Sequence, residues 1–362
     1  MSLPSSAKIC AISGFLPGFA LANRIAKRTI TSRMKTLRTL ALLLTALIAF
    51  VSPALAEDFL PGVKRVLFLG DSITYAGHYT ELFDAFLFTQ FPDRHIEVID
   101  CGLPSETCSG LSEAGHAGGK FPRPDVHERL DRVLATVKPD LVFACYGMNC
   151  GIYLPLDDKR FAAYQAGIRK LREKVEKSGA KIIHLTPPVF DTLPLKSRVK
   201  SADMVKDGEF FEGYNGVLDR YSAWLVEQGK KEGWHVIDTH KAMWNALLFN
   251  RKNDPAFSYA KDGVHANNDG HRVIANAILH DLAPEAQWMK FEAILNGDWA
   301  KSAQGRAFFD DIHKRNRLLC DSYLTTAGHL RPGMAKGLSI AEAEEKAAPL
   351  EVKIREAAKG AK

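Results

Sequence analysis

The chain has no Cys-x-x-Cys pair and no grouping of cysteine with histidine at zinc-binding spacing, so a structural metal site is not expected. Internal repeats and low-complexity tracts are also missing, which argues against a repeat architecture. Beyond residue 51 no apolar run approaches the roughly 20 residues that a membrane-spanning helix needs. An excess of one charge is lacking too, once position is considered. Of 48 Lys and Arg residues, seven lie within residues 1–56, where there is no Asp or Glu; the rest of the chain balances 41 basic groups against 42 acidic ones. That near-neutrality removes any electrostatic case for nucleic acid or anionic lipid as partner.

Cysteine is sparse and odd in number after residue 56: Cys101, Cys108, Cys145, Cys150 and Cys320. At least one is unpaired unless it bonds between chains. Cys101–Cys108 and Cys145–Cys150 are the local pairings, and the spacing leaves the choice open. An oxidising compartment is expected, because residues 34–56 have the layout of a secretory signal peptide. Lys35 and Arg38 precede an apolar run from Leu40 to Val51, followed by the small-x-small site Ala54-Leu55-Ala56. The second methionine, Met34, is the expected start; a transit peptide is the competing reading of residues 1–33. The expected division is a leader region over 1–56, a catalytic domain over 57–282 and a helical extension over 283–362, with a secreted or periplasmic destination and no stable membrane span after leader removal.

Short apolar runs alternate with amphipathic stretches. Val66–Leu69, Ile96–Ile99, Leu141–Cys145, Lys181–Leu185 and His235–Asp238 read as strands. Helical spacing predicts helices over Tyr79–Phe91, Asp125–Val137, Asp157–Ser178 (with Gly179 after it) and Tyr214–Lys231. This alternation predicts a parallel sheet of about five strands covered on both faces, a three-layer α/β/α sandwich with flavodoxin-like doubly wound topology. Ligands bind beyond the carboxyl ends of such strands, so the loops opening at Gly70, Cys101, Tyr146 and Asp238 are the places to look for chemistry.

Gly70-Asp71-Ser72-Ile73-Thr74 follows the first strand and presents a serine hydroxyl at the sheet edge. Asp262-Gly263-Val264-His265 precedes an apolar helix. A serine is a poor nucleophile until an imidazole takes its proton, and a carboxylate three residues before the histidine can orient that ring. Asn149, in Gly147-Met148-Asn149, and Gly102, after the second strand, are candidate oxyanion donors together with the Ser72 N–H. Asp71, Tyr146 and His116 are candidate substrate contacts, with Tyr153 beside the asparagine as another pocket residue.

Ser72, Gly102, Asn149 and His265, in that order and each at a predicted strand end or following loop, resemble the SGNH (GDSL-type) hydrolase family over about residues 63–282. The resemblance implies a serine esterase working through an acyl-enzyme without a cofactor, with Ser72, His265 and Asp262 as catalytic residues. The chain departs from the family pattern at Cys150, where aspartate is usual, and at Cys101, where a polar residue is common. Among family activities, removal of O-acetyl groups from carbohydrate is the expected one, with a small-molecule or glycan ester as substrate. Lysophospholipase, thioesterase or short-chain ester hydrolysis is the near alternative. An inactive carbohydrate-binding relative is the alternative of another class. Oligomeric state stays open.

Overall fold

A computed structural model describes residues 59–361, and the expected leader over 1–56 lies outside the described residues. Residues from Phe59 onward form one compact unit. Its centre is a five-stranded parallel sheet: β1 (Arg65–Gly70), β2 (Glu97–Asp100), β3 (Leu141–Cys145), β4 (Lys181–Leu185) and β5 (His235–Ile237), in the order β2-β1-β3-β4-β5. The inner strands read as unbroken apolar runs because helices cover both faces; every residue of β3 is buried. Register runs Val66 opposite Leu141 through Gly70 opposite Cys145, so β1 and β3 end level with each other. The chain leaves β1 toward β2 on one side and returns to β3 on the other. That reversal opens a crevice at the carboxyl ends of β1 and β3.

The helices follow the periodicity of the sequence. α1 (Ser72–Tyr75) is one turn directly after β1, and α2 (His78–Gln90) packs its aromatic face onto the sheet, where Phe68 stacks on Phe143 at 4.7 Å and meets Phe83 edge-on at 5.5 Å. α3 (Val126–Val137) and α4 (Asp158–Lys177) start at Asp125 and Asp157, whose carboxylates accept the amides of His127 and Arg160. α5 (Tyr214–Glu232) stops at Gly233, which takes the left-handed conformation at φ 70°. α6 (Thr239–Arg251) and α7 (Asn268–Leu282) complete the sandwich.

Beyond it lie α8 (Glu285–Asn296), α9 (Ala303–Ala327) and α10 (Ile340–Ala358). These helices are not a loose appendage. α9 packs against α2, α3 and β2, and its Ile312, Leu319, Tyr323 and Leu324 belong to the same continuous core as Val66 and Phe68. Arg315 of α9 meets the buried Asp84 of α2 at 3.2 Å. The far end of the chain, expected as a surface or partner-packing helix, buries Ala343, Ala347 and Ile354 of α10. Among the described residues no helix is long and apolar enough to cross a membrane.

Candidate active site

The turn from β1 into α1 is shaped by Asp71. Its Oδ1 accepts the Ile73 N–H at 2.9 Å and caps α1, which leaves Ser72 half-buried at the crevice. From the loop before α7, His265 brings its Nε2 to 2.7 Å from Ser72 Oγ. Behind the ring, Asp262 Oδ2 accepts the Nδ1–H at 2.6 Å, while its Oδ1 accepts the backbone N–H groups of Val264 and His265 at 3.0 and 2.8 Å. With Nδ1 donating to Asp262, Nε2 is the acceptor for the serine proton. Gly263 makes this tight loop possible. It sits at φ 80°, and a Cβ there would come within 2.7 Å of the Asp191 carbonyl oxygen.

Electrostatics agree with that geometry. Partial burial would raise the Asp262 carboxyl, but the hydrogen bonds from His265 and the loop amides outweigh it and hold the group below the usual carboxylate range. The hydrogen bond to Asp262 raises His265 above 6.5, against partial desolvation. Burial pushes Asp71 up to about 6.

Asn149 stands across the cleft. Its Oδ1 accepts from Arg123 Nη1 and from the Tyr153 hydroxyl, both at 3.0 Å, which fixes which end of the amide is oxygen. One Nδ2 hydrogen donates to the Glu106 carbonyl at 3.2 Å, and the other is left for the cleft. Arg123 is itself held by a two-pronged pair with Glu113 at 2.6 and 2.7 Å. Nothing in residue type alone singles out Glu113 or Arg123. The one signal was the flanking Pro122 and Pro124, which stiffen the backbone around the arginine.

Three sequence expectations change here. The Gly102 N–H donates to Asp100 Oδ1 at 2.7 Å, so it is not free to hold an oxyanion. Gly102 is small for another reason: a Cβ there would lie 2.3 Å from the Tyr75 nitrogen of α1. A little further along that loop Ser105 lines the cleft, in the left-handed region at φ 70°, and its N–H has no acceptor among the described residues. A serine in a glycine-type conformation leaves no mark in the sequence. Tyr146 lies beneath the site with its hydroxyl donating to Glu106 at 2.6 Å, rather than lining the pocket. Asp71 is likewise buried in its capping role and does not face substrate. His116 does line the cleft, beside Glu113 at 3.4 Å, and so does Tyr153.

All five described cysteines are free and buried. Neither local pairing is formed; instead Cys108 Sγ lies 3.6 Å from Cys150 Sγ. Cys150, where the family usually has aspartate, thus supports its loop from below by contact with the β2 loop. Among the described residues no cluster of three or more His, Cys, Asp and Glu side chains is arranged to hold a metal ion.

The cleft around Ser72 has a volume of about 570 Å³. The Ser72 N–H, as the first of α1, has no intrahelical acceptor. Ser72, Ser105 and Asn149 line the same cleft, a set of residues able to attack a carbonyl and supply N–H donors to the resulting oxyanion.

A model of the GDSL-like lipase/acylhydrolase family matches residues 68–273. The chain belongs to this family of esterases. The match starts inside β1 and ends inside α7, so it takes in Ser72, Asn149 and His265 and leaves α8, α9 and α10 outside. Comparison with curated proteins returns no match. Among solved structures, a gut microbial diltiazem-metabolizing enzyme aligns with a TM-score of 0.44 and 23% identity over 60% of this chain; the chain spans 46% of that protein's length. The acetylxylan esterase Axe2 of Geobacillus stearothermophilus aligns with a TM-score of 0.46 and 20% identity, over 62% of this chain and 95% of its own. A G-D-S-L family protein of Desulfitobacterium hafniense, described as lipolytic, gives 0.40 and 17%, over 60% and 98%.

Proposed function

We propose that the chain is a serine esterase that removes short acyl groups, most simply acetyl, from carbohydrate. The observation that carries this reading is the unbroken relay from Ser72 Oγ through His265 to Asp262, with contacts of 2.7 and 2.6 Å. Ser72 Oγ attacks the ester carbonyl as His265 Nε2 takes its proton. The oxyanion is met by the N–H groups of Ser72 and Ser105 and by Asn149 Nδ2. His265 returns the proton to the leaving alcohol, and water reverses the sequence to free the acid. Asp262 keeps the ring in the required tautomer.

Two features favour a short acyl group on a polar leaving group. The cleft walls carry Glu113, His116, Arg123, Arg198 and Arg331, a charged lining that suits a polar leaving group better than a long acyl chain. Phe210, half-buried on the cleft wall, is an apolar side chain of the kind that packs against sugar rings. Export is part of the proposal, on the strength of the leader-like residues 34–56. Sequencing of the mature amino terminus should then find Glu57 first.

The test is turnover of 4-nitrophenyl acetate by the purified protein and by Ser72→Ala. The expected loss is about 1,000-fold or more; equal rates would eliminate the serine mechanism and leave a non-catalytic carbohydrate-binding role. A panel of acetylated glycans beside longer acyl esters decides acyl length, and faster cleavage of lysophospholipids would replace the carbohydrate reading.

A further inference from the structure

α1, the turn that presents Ser72, is four residues long. A single helical turn does not hold itself in water, so its placement depends on what grips it from outside. Its amino end is capped by the Asp71 carboxylate on the Ile73 N–H, and the Tyr75 N–H donates to the Asp71 carbonyl at 2.9 Å. The β2 loop approaches it so closely that Gly102 has no room for a Cβ. Its carboxyl end is gripped by the carboxyl-terminal extension. Arg317 of α9 donates from Nη1 to the Tyr75 carbonyl at 2.9 Å, and its guanidinium carbon lies 4.1 Å from the centre of the Tyr75 ring.

Both contacts are chemically matched. The last carbonyls of a helix carry partial negative charge and lack intrahelical donors, so a cation beside them is favourable. An arginine over a tyrosine ring adds a cation–π attraction. The guanidinium is also fixed at its other end. Nη2 contacts the Cys320 sulfur and lies 3.2 Å from Asp321 Oδ1, both about one turn further along α9. Arg317 thus bridges a long helix and the nucleophile turn. Neither Arg317 nor Tyr75 lines the cleft, so neither is placed to touch substrate.

We propose that Arg317 is a positioning residue for ester hydrolysis. By holding the Tyr75 carbonyl it fixes α1, and with it the 2.7 Å approach of Ser72 Oγ to His265 Nε2 and the aim of the Ser72 N–H. The inference rests on the esterase reading above. It makes α9, which lies outside the family match, part of the apparatus that sets turnover. A misplacement of 1 Å at a reacting group can cost roughly 100-fold in rate. Ester binding in the cleft does not use Arg317, so the loss belongs in kcat and not in KM.

The experiment uses the full chain and 4-nitrophenyl acetate, at a temperature where circular dichroism shows each variant folded. Arg317→Met should lower kcat about tenfold or more with KM within about twofold. Arg317→Lys keeps the cation and should recover much of that loss. The rate at which a fluorophosphonate labels Ser72 should fall in parallel with kcat. Asp321→Asn frees the guanidinium at its α9 end and should lower kcat about threefold at unchanged KM; it carries the test should Arg317→Met fail to fold. Asp84→Leu with Arg315→Leu, on the same helix but facing α2, is the control and should keep kcat even where its melting temperature falls as far. Unchanged kcat in Arg317→Met, a loss shared equally by the control, or a lysine variant no better than the methionine one overturns the proposal. If the unmodified protein turns over ester and these variants match it, only the positioning role falls. If the unmodified protein neither hydrolyses the ester nor takes the label, the esterase reading falls and takes the positioning role with it.

Discussion

At the scale of single residues, the site depends on who holds which proton. His265 works as a base only when neutral, and its hydrogen bond to Asp262 favours the protonated ring. Activity should therefore fall as pH drops through a midpoint above the ordinary 6.5, and kcat/KM against pH should show it. In Asp262→Asn that acid limb should move to lower pH while kcat drops about 100-fold or more. The donor proposed at Ser105 is a backbone N–H, so its side chain should be dispensable. Ser105→Gly relaxes a left-handed backbone and should keep activity with an unchanged or higher melting temperature. Gly102→Ala pushes a Cβ into the α1 backbone and should destabilise by about 2 kcal/mol or more in denaturant titration. In the proposed mechanism Arg123, which donates to Asn149 Oδ1 at 3.0 Å, is a positioning residue. Arg123→Gln should lower kcat about tenfold or more with a smaller change in KM on 4-nitrophenyl acetate, because a loosened amide weakens oxyanion contact more than ground-state binding.

At the scale of elements, the strands were readable because buried parallel strands are continuous apolar runs, and the helices because their apolar residues recur at helical spacing. Ser72, Asp262, His265 and Asn149 could be named since their types and order carry the chemistry. The part played by the β2 loop could not: glycine attracts attention where close approach is expected, yet here it is packed shut and a serine takes the left-handed turn instead. Cysteine pairing was equally opaque, because nearness in sequence says little about loops that leave different strands. The sulfurs of Cys108 and Cys150, 42 residues apart in the chain, are the pair in contact. Refolding the protein in a glutathione couple should cross-link those two, through thiol–disulfide exchange that reduces oxidised glutathione, and non-reducing peptide mapping should find no Cys101–Cys108 or Cys145–Cys150 link.

For the whole molecule, the decisive fact is that the core does not end where the family match does. Amphipathic spacing marks α9 as a helix, but it does not say which surface that helix covers. α9 seats Arg315 against Asp84 with both side chains buried, and burial pushes Asp84 up to about 6. Removing one partner strands the other, so Arg315→Ala should cost about 3–5 kcal/mol in equilibrium unfolding, while Asp84→Leu with Arg315→Leu should cost markedly less. The last helices are thus part of what makes the fold stable, and the loop between α9 and α10 reaches the cleft wall through Arg331. That wall leaves the catalytic group in the open: the side chains of His265 and Asp262 are 50% and 51% exposed. An imidazole so placed needs no lid displacement and no oil–water boundary to become competent. Hydrolysis should track dissolved ester smoothly through the concentration at which micelles appear, without the jump that interfacial activation produces, and fluorophosphonate reagents should reach Ser72 in plain buffer without detergent.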